Sequence, residues 1–295
     1  MPDLSFEEVI DFAADNGFKC IELCCWPVGM AERKYAGVTH INVDEMSGSE
    51  VAKIIGYVGE KGIEISGLAY YPNPLDPDLK LRAGYIEHIK KVIHAASSLG
   101  VKQINTFIGR NPKATIPESM EDFKKVWPDI VKLAEDTGVR IGIENCPMFF
   151  TMDEWPGGKN LAMSPKIWED IFSIIDSPYL GLNYDPSHLA WQRMDYIKPI
   201  YSFANKIFHT HIKDVKFFSD RYDRVGLLAT PLEYMAPKIP GYGDIKWSDF
   251  FCALSEIRYE GAAVIEVEDN AFEESLSGRK KALLQSKEYI KQYLY

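Results

Sequence analysis

Along most of the chain, short apolar runs alternate with amphipathic stretches of helical length, the signature of a parallel sheet wrapped by helices. Ser5 and Glu8 form a capping box ahead of Val9, Ile10, Phe12 and Ala13, and Gly17 closes that helix before an apolar run over 20–24. The grammar then repeats. Ser47 and Glu50 open a helix that Gly62 closes, and the next strand reads 63–70. Helices over about 81–98 and 119–137, closed by Gly100 and Gly138, lead into strands at 101–107 and 139–144. Ser164 and Pro165 place a cap and a first-turn proline on a helix over 167–175, followed by strands at 179–184 and 206–212. A helix over 247–257, a strand over 261–267 and a closing helix over 280–294 end the series.

This order predicts an α/β protein, a (β/α)8 TIM barrel forming one domain over 1–295. Seven strand signals are found where a closed barrel of this type has about eight, and the shortage lies at the front, where the chain enters directly on a helix. Either the usable sequence begins late, or the barrel lacks its first strand and has a gap there, an exposed edge that favours a homo-oligomer. Two connections, 147–164 and 217–246, are longer than structural loops need to be. Both follow a strand, which places them as walls or lids over the catalytic face.

The 46% hydrophobic and 13% aromatic content fits a globular chain with a sizeable core. A net charge of -10, with no Lys/Arg cluster among aromatics to reverse it locally, argues against a nucleic-acid partner. The five cysteines form no CxxC pair, Asp3, Glu7, Glu8 and Asp11 interrupt any signal peptide, and no apolar run is long enough to span a membrane. A cytoplasmic protein with reduced thiols and no membrane partner is expected.

Active sites in barrels sit at the C-terminal ends of the strands. Four strands here close on polar residues: Glu144-Asn145, Asp185-Pro186-Ser187-His188, His209-Thr210-His211-Ile212-Lys213-Asp214, and Glu266-Val267-Glu268. Three carboxylates and one imidazole suit a divalent cation, Mn, Mg, Co or Zn. His209 and His211 share a strand face, as do Glu266 and Glu268, and spacing leaves the choice within each pair open.

In these segments, and in the turn Pro240-Gly241-Tyr242-Gly243-Asp244-Ile245-Lys246-Trp247, the chain resembles the xylose-isomerase-like barrels, a family also labelled sugar phosphate isomerase/epimerase. The resemblance runs from Leu4 to the last helix. It implies that Glu144, Asp185, His211 and Glu266 hold one metal ion, with Glu144 and Glu266 as acid and base. It also implies that His188 lies near the substrate and that His209 stands behind the metal ligands; Lys213 is a further candidate substrate contact. The family's sugar epimerases carry a substrate-gripping arginine six residues beyond the metal-binding histidine. That position is Phe217 here, which leaves Arg221 and Arg224 as candidate replacements.

The implied activity is a metal-dependent isomerase or epimerase of a small carbohydrate, working by proton abstraction beside a carbonyl to give an enediolate. Two alternatives stand beside it: a keto-inositol or keto-sugar dehydratase on the same site, and a non-catalytic carbohydrate-binding barrel. An apurinic-site nuclease would need many more histidines, and the acidic charge opposes DNA.

Overall fold

The structure, a computed structural model, describes residues 1–29 and 37–294. The Ser5 capping box forms as its spacing predicts and starts α1 (Phe6–Asp15), which leads into β1 (Cys20–Cys24). Then come α2 (Gly48–Lys61), β2 (Glu64–Ala69), α3 (Leu79–Leu99), β3 (Gln103–Thr106), α4 (Ile116–Thr137), β4 (Arg140–Glu144), α5 (Pro165–Ile174) and β5 (Leu180–Tyr184). The second half holds the short helices α6 (Pro186–Trp191) and α7 (Lys198–Ser202), then β6 (Ile207–Ile212), β7 (Asp214–Phe217), α8 (Ser219–Val225), β8 (Met235–Lys238), α9 (Trp247–Glu256), β9 (Ala262–Ile265) and α10 (Leu276–Ile290). Gly62, Gly100 and Gly138 each end a helix in the left-handed region, which only a residue without Cβ enters at no cost.

The barrel is a seven-stranded parallel sheet in the order β1-β2-β3-β4-β5-β6-β9, so every strand expected from the sequence is present. Among the described residues no ladder joins β1 to β9, which puts the expected gap beside the first strand. Helices pack outside through Trp127, Trp168, Trp247, Phe123 and Phe250, all fully buried.

Three expectations are corrected. Ser164 makes no side-chain cap bond, although α5 does begin at Pro165. The helix expected over 119–137 starts earlier, because Thr115 and Glu118 form a second capping box. The stretch 217–246 is no open loop: β7 and β8 pair antiparallel within and beside it, with α8 between them. Pro237 hid β8, since proline demotes a strand signal, yet it is tolerated on this two-stranded edge opposite Val215.

The lumen is polar where most barrel cores are apolar. Gln103 Nε2 donates to Asn105 Oδ1 at 2.7 Å, and a Cβ on Gly142 would lie 2.4 Å from that same oxygen, so the close approach of these amides requires glycine there. Beneath the last barrel unit, the Asp214 carboxylate accepts from the backbone of Val215, Gly241 and Ile245 and from Trp247 Nε1, at 2.9–3.0 Å. The turn 240–247 is therefore wound around one buried acid.

Candidate metal centre

Glu144, Asp185, His211 and Glu266 come from the ends of β4, β5, β6 and β9, and each offers a ligand atom within 4.8 Å of the others. The fold holds each in place through its other atoms. Asn145 and Asp185 exchange two hydrogen bonds, side chain to backbone, at 2.8 and 2.9 Å. Asp185 caps α6 by accepting from Ser187 N with Oδ1, which leaves Oδ2 for the centre. Asn160 clamps the start of the 147–164 connection by donating to the carbonyls of Glu144 and Cys146.

The group fits a cation by what it leaves unsatisfied. Among the described residues, Asp185 Oδ2 and His211 Nδ1 are buried and accept no hydrogen bond. Acidic atoms stand around Nδ1 without bonding it, Glu144 Oε1 at 3.5 Å and Glu266 Oε2 at 3.4 Å. Asp185 Oδ2 faces Lys213 Nζ at 3.2 Å and His188 Nε2 at 3.3 Å, and a divalent ion taken up by Oδ2 and Nδ1 would engage both atoms at once.

Histidine depth separates the two imidazoles that spacing could not. His211 reaches the four-residue group, whereas His209 sits lower in the lumen, with Nδ1 at 2.9 Å from Asn183 Oδ1 and Nε2 at 3.2 Å from Ser66 Oγ. Burial among these neutral partners lowers the His209 pKa to about 4, despite the nearby Glu22.

Glu22 is the residue that sequence reading missed. It stands in the middle of β1 and accepts from His211 Nε2 at 2.7 Å and from the Tyr71 hydroxyl at 2.6 Å. Glu22, His209 and His211 form a second close group of donors, but the carboxylate is already engaged by His211 and Tyr71. A proton held on Nε2 by Glu22 leaves the Nδ1 lone pair for a cation, a carboxylate–histidine–metal arrangement. The signal was a lone charge inside the apolar run Cys20-Ile21-Glu22-Leu23-Cys24. Glu22→Gln is expected to weaken metal binding about 10- to 100-fold, read by competition against a chelator.

Lys213 lies 3% exposed beside these acids, with Nζ at 2.8 Å from Glu266, 2.9 Å from Glu268, 3.2 Å from Asp185 and 3.3 Å from His188 Nε2. Burial pushes its pKa down, but Glu266 and Glu268 outweigh that and hold it well above the usual lysine value. Burial likewise pushes Glu266 up, and Lys213 and His211 outweigh it, leaving that carboxyl below its ordinary range. For Glu268 burial wins over Lys213 and the pKa is raised. His188 Nε2 is 3.3 Å from both Glu144 Oε1 and Asp185 Oδ2. Arg221 and Arg224 are exposed on α8 and are not brought to the four-residue group; Arg221 lies over the Phe218 ring.

The chain matches the model for the xylose isomerase-like TIM barrel over residues 10–293. It is 28% identical to the uncharacterized protein YfiH of Bacillus subtilis, covering 90% of this chain and 89% of that one. An inosose dehydratase of Clostridium tetani is 26% identical over 52% of this chain and 53% of its own length. Among solved structures, D-psicose 3-epimerase of Clostridium cellulolyticum with D-tagatose superposes with a TM-score of 0.69 at 15% identity, covering 98% of this chain and 93% of that one. The 3-keto-D-glucoside 4-epimerase of E. coli gives 0.70 at 13% identity, covering 97% and 94%.

Proposed function

Because the chain belongs to the xylose isomerase-like TIM-barrel family, we propose that it is a divalent-metal-dependent isomerase or epimerase of a small carbohydrate. The observation that carries this is the four-residue group, each member offering a ligand atom within 4.8 Å of the others, whose buried Asp185 Oδ2 and His211 Nδ1 accept no hydrogen bond among the described residues. Glu144, Asp185, His211 and Glu266 would hold the ion. A cation held there supplies Lewis-acid polarisation of a carbonyl beside a hydroxyl.

The chain's own residues then move the protons. Glu144 and Glu266 end β4 and β9, the strands that flank β5 and β6 in the sheet, and serve as base and acid on the two faces of one substrate carbon. His188 is hydrogen-bonded to Glu144 and suits a substrate hydroxyl. Lys213 Nζ sits beside the Glu266 carboxylate and suits a developing negative charge on a substrate oxygen. His209, with both ring nitrogens engaged, supports the lumen from below.

A second reading, elimination of a β-hydroxyl from a keto-inositol or keto-sugar, is favoured by the sequence match to inosose dehydratase. Both begin with the same proton abstraction, and one experiment separates them. In heavy water with Mn²⁺, a panel of ketoses and inososes is expected to gain deuterium at a carbon beside the carbonyl. Exchange with retention of all oxygens supports the epimerase; exchange with loss of water and a new ultraviolet-absorbing enone supports the dehydratase. Protein that takes up no metal and exchanges no sugar returns the barrel to a carbohydrate-binding role.

A further inference from the structure

Beside the metal centre lies a cavity of about 400 Å³, lined by Arg110, Arg193, Trp191, Phe149, Tyr222 and Tyr234 among others. Trp191 ends α6 and also lines the small space that reaches His188 and Lys213, so the cavity adjoins the centre. Its walls hold two guanidiniums, and none of its described lining residues is an Asp or Glu. In a chain of net charge -10 that is a local reversal of sign.

Arg110 makes the reversal specific. It is 9% exposed, and its two terminal nitrogens donate to the carbonyls of Gly157 and Ala114. Its Nε has no hydrogen-bond partner, and no described carboxylate pairs with it. A guanidinium stays charged in proteins, so among the described residues this is a buried cation without a counter-charge, an expensive arrangement unless an anion completes it. Trp191 Nε1, on a side chain 6% exposed, is a second buried donor without a partner in the same wall. The third group is Arg193, whose guanidinium lies 4.4 Å from the centroid of Phe217. Arg193 closes α6 at φ 63°, its N–H donating to the Ala190 carbonyl and the Met194 N–H to the Leu189 carbonyl.

Resting on the proposed function for the site next door, we propose that this cavity receives an oxyanion carried by the substrate at the end away from its carbonyl, gripped by Arg110 and Arg193 and by the Trp191 indole. Phosphate and carboxylate share the required chemistry, acceptor oxygens on a negative charge that a guanidinium fork binds strongly. The aromatic rings around it suit the apolar face of the attached sugar.

The test follows the indole N–H resonances of the ¹⁵N-labelled full chain, with Trp191 assigned from Trp191→Phe. Inorganic phosphate and D-gluconate are titrated separately at constant ionic strength, in the protein as purified and again after chelator treatment. A saturable shift of the Trp191 signal with at least one anion in both preparations, weakened about tenfold or more in Arg193→Gln and unchanged in Arg221→Gln, supports the inference. Response to phosphate alone points to a phosphorylated sugar, and to gluconate alone to a sugar acid. Arg110→Lys tests the buried cation, and exposed Arg193 keeps the test readable if that variant misfolds. No saturable shift with either anion, a shift lost on chelation, or equal binding in Arg193→Gln overturns it. Metal uptake is measured on the same samples, so failure of the metal reading shows separately from failure of the anion site.

Discussion

Glu266→Gln is expected to lower proton exchange by about 10²- to 10⁴-fold, the range lost with a positioned acid or base, and to weaken metal binding in the same protein. The double effect follows from its place. Glu266 Oε2 is 3.4 Å from the His211 nitrogen that accepts no hydrogen bond and 2.8 Å from Lys213 Nζ. An amide there keeps a carbonyl oxygen but can take up no proton and carries no charge for the ion. The control is Glu268→Gln. Glu268 is as close to Lys213, at 2.9 Å, but lies outside the four-residue group, so its variant should keep its metal. Elemental analysis and deuterium wash-in on both proteins check this; a Glu268→Gln that loses metal as fully as Glu266→Gln would contradict the ligand assignment.

The largest expected change in stability comes from Lys213→Met. Lys213 faces Asp185, Glu266 and Glu268 at 3.2, 2.8 and 2.9 Å in a nearly dry site. Removing one partner of a buried ionic cluster leaves the rest uncompensated and costs about 3–5 kcal/mol. Chelator-treated protein should show the full loss by urea unfolding, and saturating Mn²⁺ should restore much of it by binding only the folded state. The pH dependence has a definite sign. Burial already raises the Glu268 pKa, and without Lys213 that shift grows. A carboxyl with a raised folded pKa binds protons more tightly when folded, so it stabilises at low pH and loses that contribution as pH rises through the folded value. The Lys213→Met deficit should therefore be smaller near pH 5 than near pH 8, and a deficit independent of pH and metal would remove Lys213 from the centre's charge balance.

Much of this architecture is legible in the chain itself. Seven strands, the glycine exits at Gly62, Gly100 and Gly138, and the capping box at Ser5 follow from periodicity and local chemistry, which the folded chain obeys. The four polar strand ends could be read because a charge that closes an apolar run is costly to bury without a partner. What stayed hidden depends on pairings distant in sequence. Glu22 meets His211 across 189 positions, and Asp214 meets Trp247 across 33. Arg193 reaches Phe217 only because α6 and the β7–β8 hairpin fold over the same face. Depth, which separates His211 from His209, is likewise a property of the assembled lumen and of no single strand.

The unpaired border between β1 and β9 gives the Glu22–His211 bond a mechanical meaning. With no backbone ladder on that side, β1 is fastened to the rest of the barrel by its pairing with β2 and, inside the lumen, by a side chain reaching to β6. An ion held by Nδ1 of His211 would pin the same ring from its other edge. Such an ion would act as a rivet: a barrel sprung along this border would release His211 and with it the ion, so cation occupancy and closure of the border would rise and fall together.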